Sequence, residues 1–328
     1  MLSEFRKNLV SGEWILFATG RAKRPQEAER RDHPIQPKKT CPMEDLEKTE
    51  HTLRWRFPDN DQWVVTVVEN KFPAVRSGQC GPEEAFGPFR VHQAIGVHDL
   101  FVFRYHDKQL HTYTPSEMIP VVQAYKRRKK ELIAMDQCLQ YVSLFHNFGA
   151  DAGASIQHPH SQILAMPILP PSVNRSIHGA DRFYQEHDQR VYDVLIAWEQ
   201  EHATRVIYEN DHFIAICPYA SKRPGEMVIY PKNSIPHFSE MSDTLDVPFA
   251  EIVSVILRKM AKALHEPSYN FFIHTSPVHQ PDIHKYYTWH MEIVPKLKID
   301  AGFELGTGID INMVDPDEMA QLLRDTRV

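Results

Sequence analysis

The run Ala154-Ser155-Ile156-Gln157-His158-Pro159-His160-Ser161-Gln162-Ile163-Leu164 holds the residues best suited to chemistry. In an extended chain successive side chains alternate between faces, so His158, His160 and Gln162 share one face. Two imidazoles and a carboxamide then enter the same space. Pro159 fixes its own φ and drives His158 toward extended geometry, which stiffens the row. A neutral imidazole is a good nucleophile at pH 7, and an amide N–H donates to a phosphoryl oxygen, so attack on phosphorus suits this trio. The plain alternative is a pair of ordinary histidines on a buried edge strand. With 19 histidines in the chain, an HxH spacing arises readily by chance. The surroundings of the motif decide between the two.

At 328 residues the chain has room for two ordinary domains or one large one. Its 42% apolar and 24% charged residues are those of a soluble globular protein, and the net charge of −6 is spread without long blocks. The basic cluster Lys126-Arg127-Arg128-Lys129-Lys130 runs straight into Glu131 and is read as the solvated face of a helix, so nucleic acid is not an expected partner. No run of about 18 apolar residues is present, so no membrane span is expected. The first residues lack the apolar core of a signal peptide. The four cysteines, Cys41, Cys80, Cys138 and Cys217, form no CxxC pair; they fit a reducing cytoplasm and not a disulfide framework.

The elements that must position the motif recur along the chain. Glu69–Val75 is matched with Glu209–Ile216, and the apolar strand Asp99–Phe103 with Glu226–Tyr230. Helical periodicity follows in both, over Thr114–Leu132 with Ser116 as its cap and over Phe249–Leu264. The strands Tyr141–His146 and Tyr269–His274 come next, and then the segments around His160 and His290, which set Gln162 opposite Glu292. This order predicts an α+β fold of two tandem halves, residues 1–170 and 171–328, with a mainly antiparallel sheet backed by helices. The joining segment is predicted to be helical through Ala180–Gln200.

With these landmarks in place, the chain resembles the galactose-1-phosphate uridylyltransferase family, the transferase branch of the histidine-triad superfamily. The resemblance rests on Gly12-Glu13-Trp14-Ile15-Leu16, Arg21-Ala22-Lys23-Arg24-Pro25, Cys41-Pro42, Asn70-Lys71-Phe72-Pro73-Ala74, Asn147–Ser155 followed by His158–Gln162, Trp289-His290-Met291-Glu292 and Ala301–Gly308. It implies that His160 attacks the α-phosphorus of a UDP-sugar, releasing sugar 1-phosphate and leaving a uridylyl-histidine that a hexose 1-phosphate then discharges. A backbone carbonyl in the His-Pro-His stretch would fix the ring's tautomer, and Gln162 would donate to a nonbridging oxygen. Gly153, Ala154 and Ser155, with Gly149 and Asn147, would face the phosphates. Arg21 and Arg24 would add charge there, although an Arg-Ala-Lys-Arg run taken alone is more often a solvated surface. Asn70 joins the substrate-binding set. Phe303 and Glu304 would bind sugar hydroxyls in a neighbouring subunit's site, which implies a homodimer; a surface role for Glu304 is the alternative.

One departure bears on metals. The family's zinc site takes a CxxC pair and two histidines. Here Cys41, His106 and His158 match, but the second cysteine is replaced in Cys41-Pro42-Met43-Glu44. Glutamate ligates zinc, so Cys41, Glu44, His106 and His158 are the expected set, with a metal-free turn as the alternative. The family's second metal is not expected, because Glu292 replaces one of its histidines beside His274 and His290. The leading function is exchange of UMP between UDP-glucose and galactose 1-phosphate. A phosphorylase acting on ADP-glucose or a dinucleoside polyphosphate is its rival, and a non-catalytic nucleotide-binding protein the third reading.

Overall fold

A computed structural model describes residues 3–20, 36–135 and 138–328. The chain opens with an antiparallel pair, β1 (Ser3–Lys7) and β2 (Trp14–Ala18). The first half then supplies β3 (Leu53–Phe57), β4 (Val65–Glu69), a small exposed hairpin of β5 (Glu84–Phe86) and β6 (Phe89–Val91), β7 (Val97–Phe103), helix α1 (Pro115–Met135), β8 (Tyr141–Phe148) and β9 (His160–Met166). Helices α2 (Pro171–His187) and α3 (Val191–His202) connect to the second half. That half supplies β10 (Val206–Glu209), β11 (Phe213–Ile216), β12 (Met227–Pro231), α4 (Asp246–Ala263), β13 (Tyr269–His274) and β14 (His290–Pro295). The short α5 (Gly302–Thr307), β15 (Ile311–Asn312) and α6 (Pro316–Asp325) complete the chain. β15 pairs parallel with β2.

The ten-stranded sheet runs β10-β11-β12-β14-β13-β8-β9-β7-β4-β3, with every pair antiparallel. Numbered within its own half, each set of five strands has the spatial order 1-2-3-5-4, and the halves meet at β8 and β13. The α+β fold with repeated halves is therefore as expected. One matched segment fails. Glu69 ends β4, whereas Glu209 ends β10, and these strands are not equivalent. The shared Glu-Asn reflects a common local turn. Asn70 Oδ1 accepts from the Phe72 N–H, and Asn210 Oδ1 from those of His212 and Phe213.

The two faces of the sheet are sorted by register. Ser161, His146, Phe271 and Ile293 face one another across β9, β8, β13 and β14 on the side that carries α1 and α4. Phe101, Leu144, Ile163, Trp289 and Ile293 are fully buried there, and each such side chain contributes about 1.5–3 kcal/mol by leaving water. One residue along, Gln162, Phe145, Phe272 and Glu292 form a row on the opposite face. The period of two places all the motif residues outside the helix-packed core.

Three local expectations are corrected. Lys126, Arg128 and Lys129 are buried, not solvated. α1 is packed between the sheet and α4, and its cations find partners there. Lys126 meets Asp243 and Asp246, Arg128 meets Asp99 at 2.6 Å, and Lys129 donates to the Val142 carbonyl. The cap of α1 is Thr114, whose N–H and hydroxyl both bond Glu117, so Ser116 lies inside the helix. The connecting helix breaks in two at Asp188, which is left-handed with φ 51° and ends α2. A fourth correction concerns the thiols: Cys80 and Cys138 are joined as a disulfide, while Cys41 and Cys217 are free and buried. No helix among the described residues is long and apolar enough to cross a membrane.

Candidate active site

His160 opens β9, and its side chain is buried. Its Nδ1 lies 2.9 Å from the His158 carbonyl oxygen. A carbonyl only accepts, so Nδ1 carries the proton and Nε2 keeps its lone pair. Burial lowers the ring's pKa below the ordinary histidine value, opposed by that carbonyl bond. The result is a neutral imidazole of fixed tautomer, the state a nucleophile requires.

Gln162 is oriented by a residue that the motif reading missed. The Ala74 N–H donates to His98 Nδ1 at 3.1 Å, so His98 carries its proton on Nε2. That nitrogen lies 2.9 Å from Gln162 Oε1 and donates to it. The carboxamide is thereby turned with its N–H₂ edge available to a ligand. Asn70 supports the same ring: its N–H donates to the His98 carbonyl, and its side chain lies against the imidazole. Parity could have flagged His98, since Val97–Ala165 pairing places it on the strand beside β9. Its role needed the loop after β4, which no pattern in the sequence locates.

Residues 149–155 form a tight loop after β8. The N–H groups of Ala152 and Ala154 return to the Gly149 carbonyl, and Gly153 is left-handed at φ +83° with open space where a Cβ would stand. Backbone conformation, not crowding, is what demands glycine at this point. Asn147 is held by Asn270 of the second half, whose Nδ2 donates to Asn147 Oδ1 and to the Ala152 carbonyl, each at 2.8 Å. Asn147, Ala154, Ser155 and His158 line one cavity of about 500 Å³. Phe303 and Glu304 do not line it. Glu304 is buried against Lys298 and accepts from the Ala301 N–H, so within this chain it braces α5. Arg21 and Arg24 lie outside the described residues.

Beside His160, Cys41, His106 and His158 bring their ligand atoms within 4.8 Å of one another. His158 Nε2 donates to the Phe103 carbonyl at 2.6 Å and His106 Nε2 to that of Gln36 at 2.7 Å. Both Nδ1 atoms therefore present lone pairs, only 3.3 Å apart. Glu44 Oε1 lies 3.1 Å from one and 3.4 Å from the other. That oxygen is buried and has no hydrogen-bond donor. Two lone pairs and a carboxylate oxygen converging in this way repel unless a cation sits among them. Backbone amides of Met43 and Glu44 bond the Cys41 sulfur, whose pKa is raised by burial first and by Glu44 after that. The donor set fits a divalent, thiolate-accepting metal.

A duplicated antiparallel sheet with a tautomer-fixed histidine and an aligned glutamine defines an enzyme of histidine-triad architecture. The family model described as galactose-1-phosphate uridyl transferase, N-terminal domain, matches residues 1–170, and a domain of unknown function, DUF4921, matches residues 105–326. The chain is 33% identical over 332 residues to an ADP-glucose phosphorylase of Arabidopsis thaliana, covering 98% of this chain and 92% of the relative. It is 29% identical over 339 residues to a galactose-1-phosphate uridylyltransferase of Thermotoga maritima, covering 100% and 99%. The crystal structure of an Arabidopsis thaliana ADP-glucose phosphorylase with bound ADP-glucose superposes with a TM-score of 0.85 at 30% identity, covering all of both chains. The chain belongs to the galactose-1-phosphate uridylyltransferase family and is a transferase.

Proposed function

We propose that the protein transfers a nucleotidyl group by way of a covalent nucleotidyl-His160, exchanging UMP between UDP-glucose and galactose 1-phosphate. The observation that carries this reading is the 2.9 Å bond from His160 Nδ1 to the His158 carbonyl. It holds Nε2 unprotonated and aimed away from the strand. Nε2 attacks the α-phosphorus, a P–N bond forms, and the P–O bond to the sugar phosphate breaks. The leaving phosphate takes the electron pair. Gln162, turned by His98, donates to a nonbridging oxygen as charge builds, and the loop of Gly153, Ala154 and Ser155 with Asn147 borders the phosphates. In the second half-reaction the acceptor phosphate oxygen displaces His160 and regenerates the free ring. Asn70 supports His98, and Arg21 and Arg24 add charge. Cys41, Glu44, His106 and His158 would hold a zinc ion, which would fix the strand carrying the nucleophile and supply no step of the transfer. Phe303 and Glu304 would serve a neighbouring subunit in a homodimer, and the cytoplasm remains the proposed compartment.

A second reading has a specific observation behind it, the similarity to ADP-glucose phosphorylase over nearly the whole chain. The same histidine would then carry AMP and release it to inorganic phosphate. Incubation with UDP-glucose or ADP-glucose without acceptor, followed by intact mass measurement, separates the readings. A UMP adduct discharged by galactose 1-phosphate and absent in His160→Asn supports the first. An AMP adduct discharged only by phosphate supports the second. No adduct from either donor overturns both and leaves a nucleotide-binding protein.

A further inference from the structure

The second half repeats the nucleophile's geometry in a place the proposed reaction does not use. His290 is the first residue of β14, as His160 is of β9, and its Nδ1 lies 3.1 Å from the carbonyl two residues earlier, that of Thr288. Its Nε2 is therefore also an unprotonated acceptor, with no hydrogen bond to the protein among the described residues. The ring is 91% buried, being 9% exposed, and it borders a cavity of about 800 Å³ roofed by α2, α3 and the β1–β2 turn.

The surroundings differ from those of His160 in a directed way. Where the first half has Gln162, this one has Glu292, so an N–H donor is replaced by acceptor oxygens. One of them lies 3.2 Å from His274 Nε2. Glu226 is buried in the same wall and is held by the N–H groups of Lys222 and Arg223. Two cations of the wall are already paired, Lys222 with Glu13 at 2.8 Å and Arg205 with Glu199 at 3.0 Å, while Lys7, over the Trp14 ring, also lines the cavity. The acceptor atoms of His290 and Glu292 suit hydroxyl protons. The wall also carries the aromatic side chains Tyr192, Trp198, Tyr230 and Phe272, among aliphatic and small polar residues.

We propose that this cavity is a second ligand site for an uncharged ring compound bearing adjacent hydroxyls, with those hydroxyls on His290 Nε2 and Glu292 and the ring against the aromatic side chains. A free hexose and an unphosphorylated nucleoside both have this chemistry. The site is independent of the transfer at His160, since Gln162 and Glu292 are separated by three strand spacings, about 14 Å.

The test is ligand-observed NMR titration of the full-length protein, treated with EDTA, using glucose, galactose, uridine, adenosine and galactose 1-phosphate as separate probes. The expected result is saturable binding of one neutral class, hexose or nucleoside, that persists in His160→Asn. His290→Phe and Glu292→Leu should each weaken it about tenfold, the effect of losing one buried hydrogen bond, while nucleotidyl adduct formation is retained. Should both variants misfold, Trp198→Ala provides the check. That side chain is 55% exposed, so its removal leaves the core intact and still weakens binding. Three outcomes overturn the proposal: no saturation by any neutral probe, loss of binding in His160→Asn, or dependence on added divalent metal.

Discussion

Gln162 Oε1 lies 2.9 Å from His98 Nε2, and that contact sets which edge of the carboxamide a substrate meets. His98→Ala frees Gln162 to rotate and should lower the rate of adduct formation about tenfold to a hundredfold, the usual cost of misplacing a reacting group. Gln162→Ala should cost about 10²–10³. His98→Asn keeps a donor near Oε1 and should recover part of the loss. Rapid-quench measurement at saturating donor separates a positioning role, which lowers the rate at unchanged KM, from general damage, which would also lower the melting temperature.

Glu44 Oε1 sits without a donor between two imidazole lone pairs. Purified protein should carry about one zinc per chain by plasma mass spectrometry if the four donors act together. Glu44→Cys adds a second thiolate and should raise the affinity measured by chelator competition. Glu44→Ala and Cys41→Ala should lower it. Zinc-free wild type, or affinity indifferent to Glu44, would refute the mixed ligand set.

Arg128 and Asp99 form a buried pair at 2.6 Å under the sheet. Among the described residues, Arg128→Met leaves the Asp99 carboxylate with only Arg54 as an ion-pair partner, at 3.5 Å, and should cost about 3–5 kcal/mol in urea unfolding. Adding Asp99→Asn to that variant should restore part of the stability, because the uncompensated charge is then gone. A double variant no more stable than the single one would show that packing, not charge, sets the cost.

His146 stacks on Phe271 beneath the site, and burial, with His160 and His111 adding to it, lowers its pKa from 6.5 to about 3. The folded state refuses a proton that the unfolded chain accepts. Its contribution is therefore full above pH 6.5 and is lost progressively as pH falls from 6.5 toward 3. The urea midpoint of wild type should drop between pH 7 and pH 5, and His146→Phe should flatten that slope. Equal slopes in the two proteins would assign the acid sensitivity to other groups.

Much of this architecture was legible in the chain because it is written twice. The matched order of β7, α1, β8 and β9 with β12, α4, β13 and β14 predicted a mainly antiparallel sheet backed by helices in two halves, and period-two parity set His160 and Gln162 on one face. What escaped depends on contacts distant in sequence. Glu69 and Glu209 looked equivalent because both Asn neighbours make the same turn, and local chemistry is what a short match reports. Lys126–Lys129 read as a wetted face since isolated cations avoid burial, but Asp99, Asp243 and Asp246 supply the counter-charge from elsewhere. Parity alone could have pointed to His98, and its role stayed hidden because it comes from the register between β7 and β9 and from a loop amide.

The seam between β8 and β13 carries a consequence for how this protein is made. Asn270, supplied by the second half, clamps both Asn147 and the Gly149–Gly153 loop of the first. A ribosome that has released residues only through β9 has exposed the half that carries His160 with one side of β8 unsatisfied, an open strand edge prone to sticking to other chains. The Gly149–Gly153 loop acquires its brace more than a hundred residues later, since Asn270 and Asn147 are 123 positions apart. Competence for transfer should thus switch on late and at once, and splitting the gene between the halves should yield two insoluble pieces in place of a minimal enzyme.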